Sequence, residues 1–162
     1  MLAMLRHVAE VALAADVGPV ALATSEPKAP ELAKELGVEL VSDGGLPWNE
    51  GLMHALSEMR PQPEAVLYLA GDLPLLRAEE VRYLVAEADR DGVTIGRAHD
   101  GGTNALVVRP AAGMVPVFGS VASAALHVTK AREARLPVRI TDLPGVALDV
   151  DTPYDVSRMR IT

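Results

Sequence analysis

The sequence predicts an α/β domain with a mostly parallel sheet and helices on both faces. Helical and strand patterns alternate along the chain, and the links between them are short. The strand segments are short, near-continuous apolar runs, as expected of strands covered on both sides. The 162 residues suit one domain with a single core, and residues 1–162 are read as one unit. There is no internal repeat and no low-complexity segment.

Met1 to Ala15 places apolar residues at Leu2, Leu5, Val8 and Ala12, the stripe of an amphipathic helix. Pro19 to Thr24 (PVALAT) reads as a buried strand. Ala29 to Leu36 is helical and Val38 to Val41 a strand. Asp43 to Trp48 (DGGLPW) is a loop dense in Gly and Pro. Asn49 to Met59 is a helix with Asn49 as its N-cap. Ala65 to Ala70 (AVLYLA) is the clearest buried strand, and Gly71 to Pro74 (GDLP) breaks it. Ala78 to Asp89 is helical and Val93 to Gly96 a strand. Asp100 to Thr103 (DGGT) turns into the strand Ala105 to Val108. Val121 to Arg135 is helical, and Val138 to Ile140 and Val146 to Val150 are strands. A last helix follows Thr152 and Pro153. Such domains normally open on a strand, and this one opens on a helix, so either the strand order differs or an N-terminal strand is absent.

Composition narrows the function. Hydrophobic residues make up 49% and charged residues 23%, the balance of a globular protein. Aromatic residues are 3%, too few for a base-stacking surface. The net charge is -7 and the lysines are only Lys28, Lys34 and Lys130, which argues against DNA or RNA as a partner. With no cysteine, disulfides, thiolate zinc sites and cysteine nucleophiles are excluded, and a reducing cytoplasmic setting fits. Arg6, His7 and Glu10 interrupt the apolar N-terminus, so neither a signal peptide nor a membrane span is expected.

In open α/β sheets, ligands bind beyond the carboxyl ends of strands. Asp72 follows AVLYLAG directly. Gly71 would let the backbone turn and a ligand approach, and a carboxylate there can hold Mg²⁺, which takes oxygen ligands and substrate phosphates. The competing reading is a plain turn aspartate. In Asp149-Val150-Asp151, residues i and i+2 of an extended chain point to one side, so both carboxylates can face one metal. Thr152 and Asp155 are better explained as helix-start residues, with Pro153 at the first helical position. Three carboxylates at two strand ends suit metal-assisted phosphoryl transfer. Asp100 to Asn104 (DGGTN) offers backbone N–H groups and the Thr103 hydroxyl to an anion, or is an ordinary hairpin turn. Phe118 to Ser123 (FGSVAS) opens a helix where N–H groups and Ser123 could bind an anion or Ser123 could simply cap. Asn49 could read a base edge or cap its helix. Phosphate-loop, dinucleotide and nucleophile-elbow motifs are absent, and the four histidines show no paired metal spacing.

The segments AVLYLAGDLPLL, DGGTNALVVRP, FGSVASAALH and LPGVALDVDTPYDV occur in that order. Together they resemble the 2-phospho-L-lactate guanylyltransferase family, which includes phosphoenolpyruvate guanylyltransferases, from about Leu2 to the C-terminus. GDLP is shared by many nucleotidyltransferases and DVDTP also by molybdenum-cofactor types, while DGGTNAL points to this family. The resemblance implies a Rossmann-like, GT-A-type fold. It implies transfer of GMP from GTP to phosphoenolpyruvate, 2-phospho-L-lactate or 3-phosphoglycerate, with release of pyrophosphate, in coenzyme F-420 biosynthesis. It assigns one or two Mg²⁺ to Asp72, Asp149 and Asp151, the acceptor acid to Thr103, Gly119 and Ser123, and the nucleotide to Asn49 and Gly71. A homodimer is compatible with it. The family's F-G-P-G-S-F-A-R-H turn is one residue longer here, with Leu126 in place of the usual Arg, which shifts the Ser123 match by a residue. The strand and basic phosphate loop on which family members begin are expected to be missing. Two alternatives stand beside this reading: another nucleotidyltransferase of the same fold, or a degenerate ligand-binding or interaction domain.

Overall fold

In a computed structural model of the protein, which describes residues 2–88 and 92–150, helix and strand alternate except where two strands follow one another at Gly92–Arg97 and Thr103–Arg109. In order, the elements are α1 (Leu2–Ala15), β1 (Ala21–Ala23), α2 (Ala29–Leu36), β2 (Glu39–Val41), α3 (Trp48–Glu58) and β3 (Val66–Leu69). They continue as α4 (Ala78–Glu87), β4 (Gly92–Arg97), β5 (Thr103–Arg109), α5 (Ser123–Glu133), β6 (Val138–Thr141) and α6 (Pro144–Ala147).

The strands form two sheets. β1 and β2 pair in parallel, and the larger sheet has the order β3-β5-β4-β6. Within it β4 and β6 are parallel, but β5 runs antiparallel to both β3 and β4. The sheets are therefore more mixed than the apolar runs suggested. The reason is local. Ala98 to Gly102 is too short for a crossover and closes a hairpin, with the Ala98 N–H donating to the Gly102 carbonyl at 3.0 Å. Gly101, at φ +100, lies so close to Val121 that a Cβ would stand 2.6 Å from its carbonyl oxygen.

β5 shows why both sheet faces must be covered. Ala105 and Val107 join Val81, Leu84 and Val8 in a core under α1 and α4. Leu106 and Val108 point the other way, into a core with Ala124 and Ala131 of α5. A third cluster, Ala9, Leu22, Leu32 and Ala33, fastens α2 and β1 to α1. Small residues on α1 permit close packing, and Arg82 of α4 donates to the carbonyls of Ala14 and Ala15 at 2.9 and 3.1 Å. Those carbonyls at a helix C-terminus would otherwise lack a partner.

α2 ends as its sequence specifies. Gly37 adopts φ +69, and the Val38 N–H reaches back to the Ala33 carbonyl at 3.0 Å, closing the last turn. Two expected boundaries move. α3 starts at Trp48 with Pro47 as its cap residue, so Asn49 lies inside the helix. Val146 belongs to α6, and 148–150 run on without strand pairing. Pro144 at the first helical turn favours helix there, and the Val146 and Ala147 carbonyls are taken by the Asn104 side chain and the His99 N–H, both at 2.9 Å.

Candidate active site

The carboxyl end of β3 and the amino end of β5 lie side by side, because Leu69 pairs with Ala105. The residues that follow β3 therefore meet those that precede β5. A cleft of about 1310 Å³ opens there and runs back between β1 and β3. Its polar end is lined by Asp72, Asp100, Thr103, Gly119, Ser120 and Asp149. Its apolar middle is lined by Leu22 of β1, Leu67 and Leu69 of β3 and Ala55 of α3.

Asp72 and Asp149 are far apart in sequence and are joined by the backbone. The Val150 N–H donates to the Asp72 carbonyl at 3.2 Å. His99, on the β4–β5 hairpin, stands with Nδ1 3.9 Å from Asp149 Oδ1. Asp151 lies outside the described residues, and among the described residues no group of three acidic or histidine side chains forms a metal cluster. Gly71 lines the cleft, but it is not in the left-handed region, and a Cβ there would meet only the end of Leu5 at 3.0 Å. Gly71 and Asp72 nevertheless form the turn expected after β3, without a left-handed glycine.

Asp100 acts first on its own turn, accepting the Gly102 N–H at 2.8 Å. Thr103 is 8% exposed and is held from behind by two groups. His127 Nδ1 lies 2.9 Å from its Oγ1, and the Ser123 hydroxyl donates to it at 3.2 Å. Ser123 is itself 1% exposed, so it stands behind the cleft wall. Ser120, three residues earlier, is the serine that lines the cleft. The sequence could not separate them, because both sit at a helix start and either can cap.

Asn49 likewise faces the backbone rather than a base. Its Nδ2 donates to the Phe118 carbonyl at 3.2 Å and its Oδ1 accepts the Phe118 N–H at 2.9 Å. Both functions of the amide are used, and the 118–120 loop is pinned to α3. Gly119 follows at φ +97, where only glycine sits without strain, and open space surrounds it.

Two features had no signal in the sequence. One is the aromatic cluster at the cleft: Trp48 stacks on Phe118 with centroids 6.0 Å apart, and Phe118 meets Tyr68 and His127 edge-on. Trp48 remains 62% exposed. Burial raises the Tyr68 hydroxyl pKa to about 12. The other is His127, wholly buried, whose Nε2 accepts the Val117 N–H at 2.9 Å. Burial lowers its pKa to about 4, against a smaller raising effect of the Ser123 backbone.

The cations of the cleft lie at its far end. Arg60 and Arg109 line it together with Gln62 and Glu64, whereas the end with Asp72, Asp100 and Asp149 is acidic. An acidic, oxygen-rich end fits a hard divalent cation such as Mg²⁺ and would repel a bare triphosphate.

Residues 1–161 match the family described as "Guanylyl transferase CofC like". The chain is 35% identical over 162 residues to a phosphoenolpyruvate guanylyltransferase of Sphaerobacter thermophilus, covering 98% of this chain and 78% of that protein. It is 34% identical over 149 residues to the 2-phospho-L-lactate guanylyltransferase of Methanothermobacter thermautotrophicus, covering 91% of this chain and 66% of that one. Among solved structures, a nucleotide-diphospho-sugar transferase fold from Desulfovibrio desulfuricans G20 superposes with a TM-score of 0.74 at 22% identity, over 97% of this chain and 73% of that chain. The fold is thus that of the nucleotidyltransferases, as the sequence led us to expect. The chain belongs to the CofC-like family of guanylyl transferases, enzymes of the nucleotidyltransferase class.

Proposed function

We propose that this cleft transfers GMP from GTP to the phosphate of a small phospho-acid (phosphoenolpyruvate, 2-phospho-L-lactate or 3-phosphoglycerate) and releases pyrophosphate, as a step in coenzyme F-420 biosynthesis. The observation that carries the proposal is the composition of the cleft's polar end. Carboxylates from two chain segments, Asp72 and Asp149, share it with the Thr103 hydroxyl and the exposed loop at Gly119 and Ser120. Asp72 and Asp149, with Asp151, would hold one or two Mg²⁺. The metal, when bound, would neutralise phosphate charge and align the attacking oxygen with the α-phosphorus. Thr103, Gly119 and Ser120 would hold the acceptor, with Ser123 acting through Thr103. Asn49 would shape the loop, and Gly71 would border the nucleotide.

The same proposal takes residues 1–162 as one nucleotidyltransferase domain with a strand position open between β1 and β3. Among the described residues β1 pairs only with β2, and β3 only with β5, and the cleft separates them. A cytoplasmic setting and a homodimer belong to this reading too, the latter to be tested by sedimentation. No helix among the described residues is long and apolar enough to cross a membrane.

The test is pyrophosphate release from GTP and Mg²⁺ with each of the three acids in parallel. Asp72→Asn and Asp149→Asn should each lower the rate by at least about a hundredfold, as expected for loss of a charge-stabilising group. Turnover unchanged by both substitutions would sink the assignment.

A further inference from the structure

His127 is buried, lies off the cleft, and touches neither carboxylate that the proposed reaction uses. Its surroundings nevertheless fix its chemistry. The Val117 N–H is a donor and nothing else, and it points at Nε2 from 2.9 Å. Nε2 must therefore carry a lone pair. A neutral imidazole with a bare Nε2 carries its proton on Nδ1. Nδ1 stands 2.9 Å from Thr103 Oγ1, so it donates there and Thr103 accepts. The Ser123 hydroxyl is a second donor to the same oxygen, at 3.2 Å. A hydroxyl has two acceptor positions and one proton. With both acceptor positions of Thr103 filled from behind, its own proton is left to be given away, on the side where Thr103 lines the cleft.

The same ring fixes the neighbouring loop. Its Nε2 holds Val117, its ring meets Phe118 edge-on with centroids 5.0 Å apart, and Asn49 grips the backbone of Phe118 on both its N–H and its carbonyl. Gly119 and Ser120 project from this anchored point into the cleft.

We propose that His127 is a positioning residue: as the Nδ1–H tautomer it makes the Thr103 hydroxyl an obligate donor toward the cleft and holds the 117–120 loop beside it, together forming a seat for an anionic oxygen of the acceptor. The seat is selective in a defined way. It offers donors and no acceptor from Thr103, so it takes a carboxylate or phosphate oxygen and rejects a hydroxyl that needs to donate. The low proton affinity of the ring agrees with this geometry, since a protonated imidazole would turn an N–H against the Val117 N–H.

This inference rests on the acceptor reading of the cleft, and the experiment separates the two. The tautomer is read first, by the ¹⁵N shifts and ring couplings of His127 in the intact protein at neutral pH. A bare Nε2 and a protonated Nδ1 are expected, and an Nε2–H ring overturns the proposal. Binding of phosphoenolpyruvate, in the presence of Mg²⁺ and GTP, is then compared for wild type, Thr103→Val and Thr103→Ser. Valine keeps the shape and removes the hydroxyl, whereas serine restores it. Thr103→Val should weaken acceptor binding on the order of tenfold to a hundredfold, the cost of a hydrogen bond to a charged group. GTP affinity should stay within about twofold, and Thr103→Ser should recover most of the loss. If wild type binds the acid and Thr103→Val binds it equally well, this inference fails and the proposed function stands. If wild type binds none of the acids, the functional reading fails and this inference fails with it.

Discussion

His127 is where burial, protonation and site geometry meet, and it makes a prediction about stability. Its folded-state pKa is depressed, from 6.5 to about 4. On lowering the pH, the unfolded chain takes up the proton first. The contribution of neutral His127 to stability is therefore fully present above about pH 6.5 and is lost progressively as the pH falls toward about 4. The loss should reach about 3 kcal/mol, because each tenfold drop in proton affinity on folding is worth about 1.36 kcal/mol. Denaturant titrations at pH 7 and pH 4.5 should show most of that loss in wild type and a much smaller one in His127→Asn, which does not titrate. Equal losses in the two proteins would rule out His127 as the source. Gly145 makes a steric prediction of the same kind. A Cβ there would stand 2.1 Å from Glu80 Oε2 and 2.4 Å from the Leu75 carbonyl oxygen. Its N–H already donates to Glu80 Oε1 at 2.7 Å. Gly145→Ala should cost about 1–3 kcal/mol, by forcing α6 away from α4, and a denaturation midpoint unchanged from wild type would contradict that. At this scale the sequence is legible where chemistry alone selects a residue. Asp72, Asp149, Thr103 and Gly119 all line the cleft. It is illegible where a side chain's partner is remote. Asn49 has the sequence position of a cap, but its amide is spent on Phe118, 69 residues away. His127 has the sequence setting of a solvated or core-edge helix residue and is wholly buried.

Elements are legible in their type and less so in their pairing. The apolar runs at Val66–Leu69 and Thr103–Arg109 are strands, as their composition demands, but strand direction depends on the link. A turn of Ala98 to Gly102 dictates an antiparallel return between β4 and β5, while α2 lies between the strands of the parallel pair β1–β2 and α5 between those of β4–β6. Val146–Val150 misleads because a short, largely apolar run reads as a strand, while Pro144 and the Asn104 and His99 contacts decide the conformation. The edges of β1 and β3 that border the cleft make a testable element. Amides on a strand edge without a ladder partner exchange with solvent through local motion rather than global opening. Half of the amides in Ala21–Ala23 and Val66–Leu69 should therefore exchange orders of magnitude faster than those of Ala105–Val108, which is paired on both sides. Uniform protection across β3 and β5 would mean that the β3 edge is covered in solution and that no strand position is open there.

At the scale of the whole molecule, charge organises the cleft. The chain carries -7 overall, its cleft arginines sit at the end away from Asp72, and the polar end gathers Asp72, Asp100 and Asp149. A triphosphate brought to that end alone meets like charge, and a divalent cation alone meets ligands but no bridging phosphate. Each ligand thus supplies what the other lacks, and the two should bind as a unit. The expected result is a thermal midpoint that rises with GTP and Mg²⁺ together and hardly moves with either alone. At a nucleotide concentration about a hundredfold above its dissociation constant, the stabilisation should approach about 2.7 kcal/mol. Chelation by EDTA should abolish it, and Asp149→Asn should shift the Mg²⁺ requirement upward without changing the stability of the ligand-free protein by more than about 0.5 kcal/mol, as for a partly exposed group outside the core. GTP stabilising the protein equally well in EDTA would show that the phosphates are held by side chains rather than by a metal, and would move the nucleotide site to the arginine end of the cleft.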